Sequence, residues 1–295
     1  MTAGAMRVLW GVGSIGTLVS AGCAQVLDVD TDRRVAPVEA GAGPWDCLGA
    51  PDERLDPHLD VDLTLVVMDA VQSSTSAGAI DGGSDLDTVS GTWLPGVSVR
   101  ACALRDPDCN DGTQAAMTDD AGKVDFRLNG DFAGFFDIRR PDLVPATLYP
   151  GKLLAGQSTT SFPAYDIRPD DFVSLALLAT NSAPTLDQDS GVGHVIVTIY
   201  DCQDHQAPGV SLTYDSRSSK TESFYFQNGL PNLKATQTDG YGLAGALNVP
   251  VGPLAVRAYF APPHDTDAGA ASLGMTTVDV RAGSLTFAWI RTRTH

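Results

Sequence analysis

The sequence predicts an all-β protein: two β-sandwich modules with one short connecting helix, following a signal peptide and a flexible tether. Three observations predict it. Of the 36 acidic residues only Glu39, Glu53 and Glu222 are glutamate. Aspartate competes with helical hydrogen bonds and favours turns and caps, so this skew speaks for a turn-rich chain. Apolar residues alternate with polar ones, as Val97, Val99 and Ala101 do against Ser98 and Arg100. Finally, one order of strands and turns occurs twice along the chain.

The N-terminus reads as an address. In "MRVLWGVGSIGTLVSAGC" a single basic residue, Arg7, precedes an apolar run from Val8 to Val19. The run is short for a membrane span but fits a signal peptide over residues 1–22. It ends in Ser20-Ala21-Gly22-Cys23, which resembles the lipobox of bacterial lipoproteins; Ser20 stands where leucine is usual. The resemblance implies lipidation of Cys23, and Ala24 after it favours the outer membrane or cell surface. A plain secretory signal is the competing reading. Residues 23–57 form a polar tether ending in a Trp-x-Cys segment, Trp45-Asp46-Cys47.

The first module spans residues 58–151 and the second 192–295. In the first, "VDLTLVVMD" leads to "LPGVSVRAC", then "TDDAGKVDFRL", then "GFFDIRRP". In the second, "GHVIVTIYDC" leads to "APGVSLTYD", then "TDGYGLAGALNVPVG", then "LAVRAYF". Pro95-Gly96 and Pro208-Gly209 supply a turn before a strand; Thr118-Asp119 and Thr238-Asp239 start turns that Gly122 and Gly242 release. This order resembles the carboxypeptidase regulatory-like domain, a transthyretin-like or prealbumin-like β-sandwich. Lipoproteins of Gram-negative bacteria in that family carry a Trp-x-Cys-Leu-Gly segment before two such modules, as Trp45 to Gly49 does here. The resemblance is to an accessory module that lacks peptidase zinc ligands, so it implies no peptidase activity.

The first module carries a Gly/Ser/Asp-rich insert at 71–93, read as a surface loop, and the second an insert at 216–235. In the latter, Phe224-Tyr225-Phe226 reads as a strand with Asn228-Gly229 as its turn. Residues 152–191 read as a linker holding a helix at 169–180, with Pro169, Asp170 and Asp171 in its first turn. The tail 276–293 reads as a closing hairpin turning at Ala282-Gly283.

Export implies an oxidising compartment. With Cys23 lipidated, four cysteines remain. Cys102 and Cys109 are close enough in sequence for a local loop-closing disulfide, which leaves Cys47 with Cys202 as a long-range one. Free thiols and a zinc site are the alternatives, and no CxxC or histidine pair supports zinc.

Site chemistry is sparse. There is no G-x-S-x-G elbow, H-E-x-x-H or P-loop, the histidines are scattered, and His194 reads as a structural strand-edge residue. A net charge of −17 excludes a phosphate-binding basic stripe, and so nucleic acid. "RDPDCNDG" spaces Asp106, Asp108 and Asp111 like calcium ligands, with Asp119 and Asp120 following. The calcium-loop pattern fails at Asp111 and Met117, where glycine and an acid are required. No cofactor is therefore expected unless those aspartates converge on Ca2+; the competing reading is solvated turn carboxylates. Phe224, Tyr225, Phe226 and Tyr241 either form an exposed platform for a glycan or peptide or pack an extra strand. The expected function is non-catalytic: a lipid-anchored envelope protein with a structural, display or adhesive role, its partners the membrane and an envelope protein or glycan. The alternative is a carbohydrate- or peptide-binding module using residues 216–241.

Overall fold

The computed structural model describes residues 44–45, 60–70, 92–110, 114–129, 132–151, 159–180, 184–228, 230–260 and 272–291. The signal segment, Cys23 and most of the 71–93 insert lie outside them. Among the described residues the chain is all-β with one helix. In order it forms β1 (Asp60–Asp69), β2 (Ser98–Ala103), β3 (Gln114–Met117), β4 (Lys123–Asn129), β5 (Gly134–Arg139), β6 (Ala146–Tyr149) and β7 (Thr159–Asp166). Helix α1 (Pro169–Thr180) follows, and then β8 (Val192–Tyr200), β9 (Val210–Tyr214), β10 (Glu222–Gln227), β11 (Leu230–Asn232) and β12 (Leu243–Pro250). The chain closes with β13 (Gly252–Phe260), β14 (Ser272–Val280) and β15 (Leu285–Arg291).

The two sandwiches share one sheet. Nine strands run β11-β10-β12-β8-β15-β6-β5-β2-β3, and two three-stranded sheets, β4-β1-β7 and β14-β13-β9, cover it. Side-chain alternation shows that the covers lie on opposite faces. Along β15, Leu285 and Trp289 join the core under β4-β1-β7, while Ala288 and Ile290 join the core under β14-β13-β9. On β5 the same split separates Phe136 and Ile138 from Phe135. Helix α1 extends the first cover: Phe172 and Ala176 join that same core, together with Phe224 of β10. Sheet and helix thus hide both faces of the shared sheet over part of its width, which is why its strands read as nearly continuous apolar runs.

The repeated motif is one hydrogen-bond knot built twice. The Thr118 hydroxyl accepts from the Val97 N–H at 2.9 Å and donates to the Leu94 carbonyl at 2.6 Å. The Thr238 hydroxyl accepts from the Val210 N–H at 3.0 Å and donates to the Ala207 carbonyl at 2.7 Å. Both threonines are buried, and each also fixes its Pro-Gly turn by accepting from the Gly96 or Gly209 N–H. Gly122 and Gly242 sit at φ of 68° and 57°, and a Cβ there would meet the Val67 and Ile199 carbonyl oxygens at 2.7 and 2.6 Å. Glycine is required at both positions by conformation and by space.

Three readings change. Residues 159–166, read as linker, are β7, which pairs in parallel with β1 from Asp62↔Thr159 to Asp69↔Asp166. Pro163 hid this strand, since proline inside a run argues against one; β7 tolerates it as an edge strand. The tail is no hairpin. After the Ala282-Gly283 turn β15 crosses to the central sheet and pairs in parallel with both β8 and β6, while β14 pairs with β13. His194 is not at an edge, because β8 lies between β12 and β15. Helix α1 matches the reading residue for residue.

Candidate functional site

A cluster of one aspartate and three arginines lies where the sandwiches meet. Asp137, on β5, is fully buried. Its Oδ2 accepts from Arg100 Nη2 at 2.6 Å and Nε at 3.2 Å. Its Oδ1 accepts from Arg139 Nε at 3.0 Å and from Arg281 Nη1 at 2.8 Å. Burial alone would raise this carboxyl, but hydrogen bonds from Arg139 and Arg100 and the charges of Arg139 and Arg281 outweigh it and hold Asp137 below the usual range. Arg281 comes from the turn after β14, so the cluster ties the second sandwich to the first.

Pro107 and Cys109 of "RDPDCNDG" complete this junction. Cys102 and Cys109 form a disulfide, both buried. The Cys109 carbonyl accepts from Arg100 Nη1 at 3.2 Å, and the Pro107 carbonyl accepts from Arg281 Nη2. Around the disulfide lie Phe135 and Tyr149, stacked with ring centroids 5.2 Å apart, and the Arg281 guanidinium sits 4.9 Å over the Phe135 ring. Tyr149 is pushed up to about 12 by burial, and its hydroxyl oxygen accepts from the Asp279 N–H at 3.1 Å. Asp279 lies near both Arg281 and Asp108; burial raises its carboxyl and the Arg281 charge opposes this. The arrangement can clamp the two sandwiches together.

The candidate calcium donors that the structure describes stand on either side of β3. Asp106 and Asp108 precede β3, whereas Asp119 and Asp120 follow it, so a strand's length separates them. The Asp119 Oδ1 is engaged by the N–H groups of Ala121 and Lys123, at 2.9 and 2.8 Å, and shapes the turn. Asp111 lies outside the described residues. Among the described residues no three His, Cys, Asp or Glu side chains converge.

The three rings of β10 divide between its two faces. Strand β10 and the Asn228 turn form as read, with Asn228 at φ 53°. Phe224 is buried, and Phe226 meets it edge-on with centroids 5.6 Å apart, on the face that α1 shares. Tyr225 points to the other face, where its hydroxyl oxygen accepts from the Leu212 N–H at 2.9 Å. Tyr241 is half-buried, its N–H spent on Asp239. Alternation within a strand covered on both faces separates rings that look contiguous in sequence.

His194 is a buried neutral imidazole. Burial lowers it to about 4, against the opposing hydrogen bond to the Thr185 carbonyl at 3.0 Å from Nε2. Its Nδ1 accepts from the Asn248 N–H at 3.3 Å, which makes Nε2 the donor. Asp166 was not singled out by sequence. It is fully buried beside Asp69 in the β1–β7 pair, and burial raises it to about 8 despite the Ile167 N–H it accepts. Only the parallel pairing of β1 with β7 reveals it.

Cys202 is disulfide-bonded, with its partner outside the described residues. Its N–H donates to the Pro44 carbonyl at 2.9 Å, and Trp45 packs edge-on against Phe260 with centroids 4.3 Å apart. Pro44 and Trp45 are therefore docked on the second sandwich next to Cys202.

No protein-family model and no curated protein matches the chain. Among solved structures it is similar to the Bacillus anthracis TIE protein (13% identity, TM-score 0.25, covering 79% of this chain and 34% of that one). It is similar to a shaft pilin from Lactobacillus rhamnosus GG (10% identity, TM-score 0.24, covering 79% and 97%) and to the major pilin subunit of Bacillus cereus (9% identity, TM-score 0.23, covering 79% and 99%). The chain spans about a third of the TIE protein's length. With TM-scores this far below one half, function is read from this chain's own residues.

Proposed function

We propose that the chain is an exported, non-catalytic structural protein of the cell envelope, tethered to the outer membrane or cell surface through a lipid on Cys23. The observation that carries this reading is the junction. A disulfide-closed loop, a buried ion cluster and a parallel β6–β15 ladder hold both sandwiches on one sheet. The buried polar groups Asp137 and His194 are engaged in holding strands and loops together. Disulfide chemistry fits an oxidising compartment, in keeping with the signal-like N-terminus. In this reading Cys47 pairs with Cys202 and fixes the tether's end on the second sandwich, so that pulling on the membrane anchor loads a covalent link.

Mass spectrometry of the mature protein tests the anchor. A diacylated N-terminal Cys23 is the expected result; an unmodified chain that starts elsewhere overturns it. Non-reducing peptide mapping should return Cys47 linked to Cys202.

A further inference from the structure

Strand β7 is held from one side. Among the described residues it pairs with β1 and with no other strand. Pro163, opposite Val66, leaves it without an N–H in mid-strand. Hydrogen bonds fasten its C-terminal end. The Ala70 N–H donates to the Asp166 carbonyl at 2.8 Å, the Ile167 N–H to Asp166 Oδ1 at 2.8 Å, and the Val144 N–H to the Ile167 carbonyl at 2.9 Å.

At that end two carboxyl groups stand side by side. Asp69 and Asp166 are register partners. By alternation both lie on the face of Leu65, Val67 and Ala164, which points into the first core. Both are buried, and among the described residues Asp166 Oδ2 has no hydrogen-bond partner. The charged groups acting on Asp166 are Arg140, Asp142 and Asp69. Arg140 is spent elsewhere: its Nε and Nη2 donate to the Asp142 carboxylate at 2.7 and 3.0 Å, and its Nη1 to the Pro95 carbonyl at 3.0 Å. Exposed Arg168 also acts on Asp142. Adjacent carboxyl groups in so dry a place resist being charged together.

We propose that this pair is a proton-operated latch on β7: the strand lifts from β1 as Asp166 gives its proton to water, so acid fastens the strand and a rise in pH frees it. The sign follows from burial, which raises Asp166 from its ordinary 3.8 to about 8 while β7 is closed. Once β7 lifts, the carboxyl meets water and returns to its ordinary value. Closure is therefore fully favoured below 3.8 and weakens as pH rises to about 8. Beyond that the closed strand is already charged, and pH has no further effect. Lifting uncovers the β1 edge and the places of Ala164 and Ile167 in the first core.

Amide hydrogen exchange on the full chain between about pH 6.5 and 8, corrected for the intrinsic pH dependence of exchange, tests the latch. Protection at Ala70, Val144 and Ile167 should fall about tenfold per pH unit. At every pH it should stay below that of Val197 in the central strand β8, because β7 lifts without global unfolding. Asp166→Asn should remove the slope at these amides. Asp69→Asn, which takes away the neighbouring acid, should keep the slope but end it at a lower pH. Protection that does not change with pH overturns the proposal. So does a slope that Asp166→Asn leaves in place, or an Asp69→Asn chain that titrates like the wild type. Protection at Ala70 and Ile167 equal to that at Val197 overturns it as well, since β7 would then open only with the whole chain.

Discussion

Arg281 and Asp137 are separated by 144 positions in sequence and by 2.8 Å in the fold. The contact joins a turn of the second sandwich to a buried strand of the first. Removing the shared acceptor should therefore loosen the junction as a whole. Asp137→Ala would leave Arg100, Arg139 and Arg281 facing one another in a partly dry site. A loss of about 3 kcal/mol in denaturant unfolding is expected. Arg281→Met should cost less, because Arg100 and Arg139 still satisfy the carboxylate.

The paired threonines predict equal and independent effects. Thr118→Val and Thr238→Val keep shape but strand buried backbone groups. Each should cost about 1–3 kcal/mol. The knots lie in different sandwiches, so the double variant should lose the sum, as urea titration would read.

Two buried groups give opposite pH slopes. Asp166 is raised from its ordinary 3.8 to about 8, so its stabilising protonated form is fully present below 3.8 and is lost as pH rises through 8. His194 is lowered from 6.5 to about 4, so the stability it supports is present above 6.5 and is lost as pH falls through 4. The slopes oppose each other between about 4 and 6.5, and from 6.5 to 8 only the Asp166 slope remains. Melting temperature should fall across that upper window, and Asp166→Asn should flatten it while leaving the acid-side loss in place.

Opening the local disulfide isolates what the loop contributes. Replacing Cys102 and Cys109 by serine frees a closed loop with a sequence separation of 7, a chain-entropy loss of about 2–3 kcal/mol. The backbone carbonyls of Pro107 and Cys109 then lose their fixed place against Arg281 and Arg100. Faster amide exchange at Asp279 and Tyr149, as well as at residues 103–110, is the expected signature.

The amino-acid sequence by itself determined the local rules. The Thr118 and Thr238 knots, the Gly122 and Gly242 turns, helix α1 and the Cys102–Cys109 pairing all depend on residues close in sequence or on a motif occurring twice, so pattern reveals them. Tertiary structure decided the rest. Strand β6 is four residues long and β7 contains a proline, so neither announces itself. Which sheet β15 enters depends on partners far along the chain, and a local turn signal at Ala282-Gly283 does not distinguish a hairpin from a crossing between layers. The aspartates of "RDPDCNDG" look like ligands because sequence shows composition without direction. In the fold its carbonyls and its disulfide are what matter, and they close the seam between two sandwiches built on one sheet.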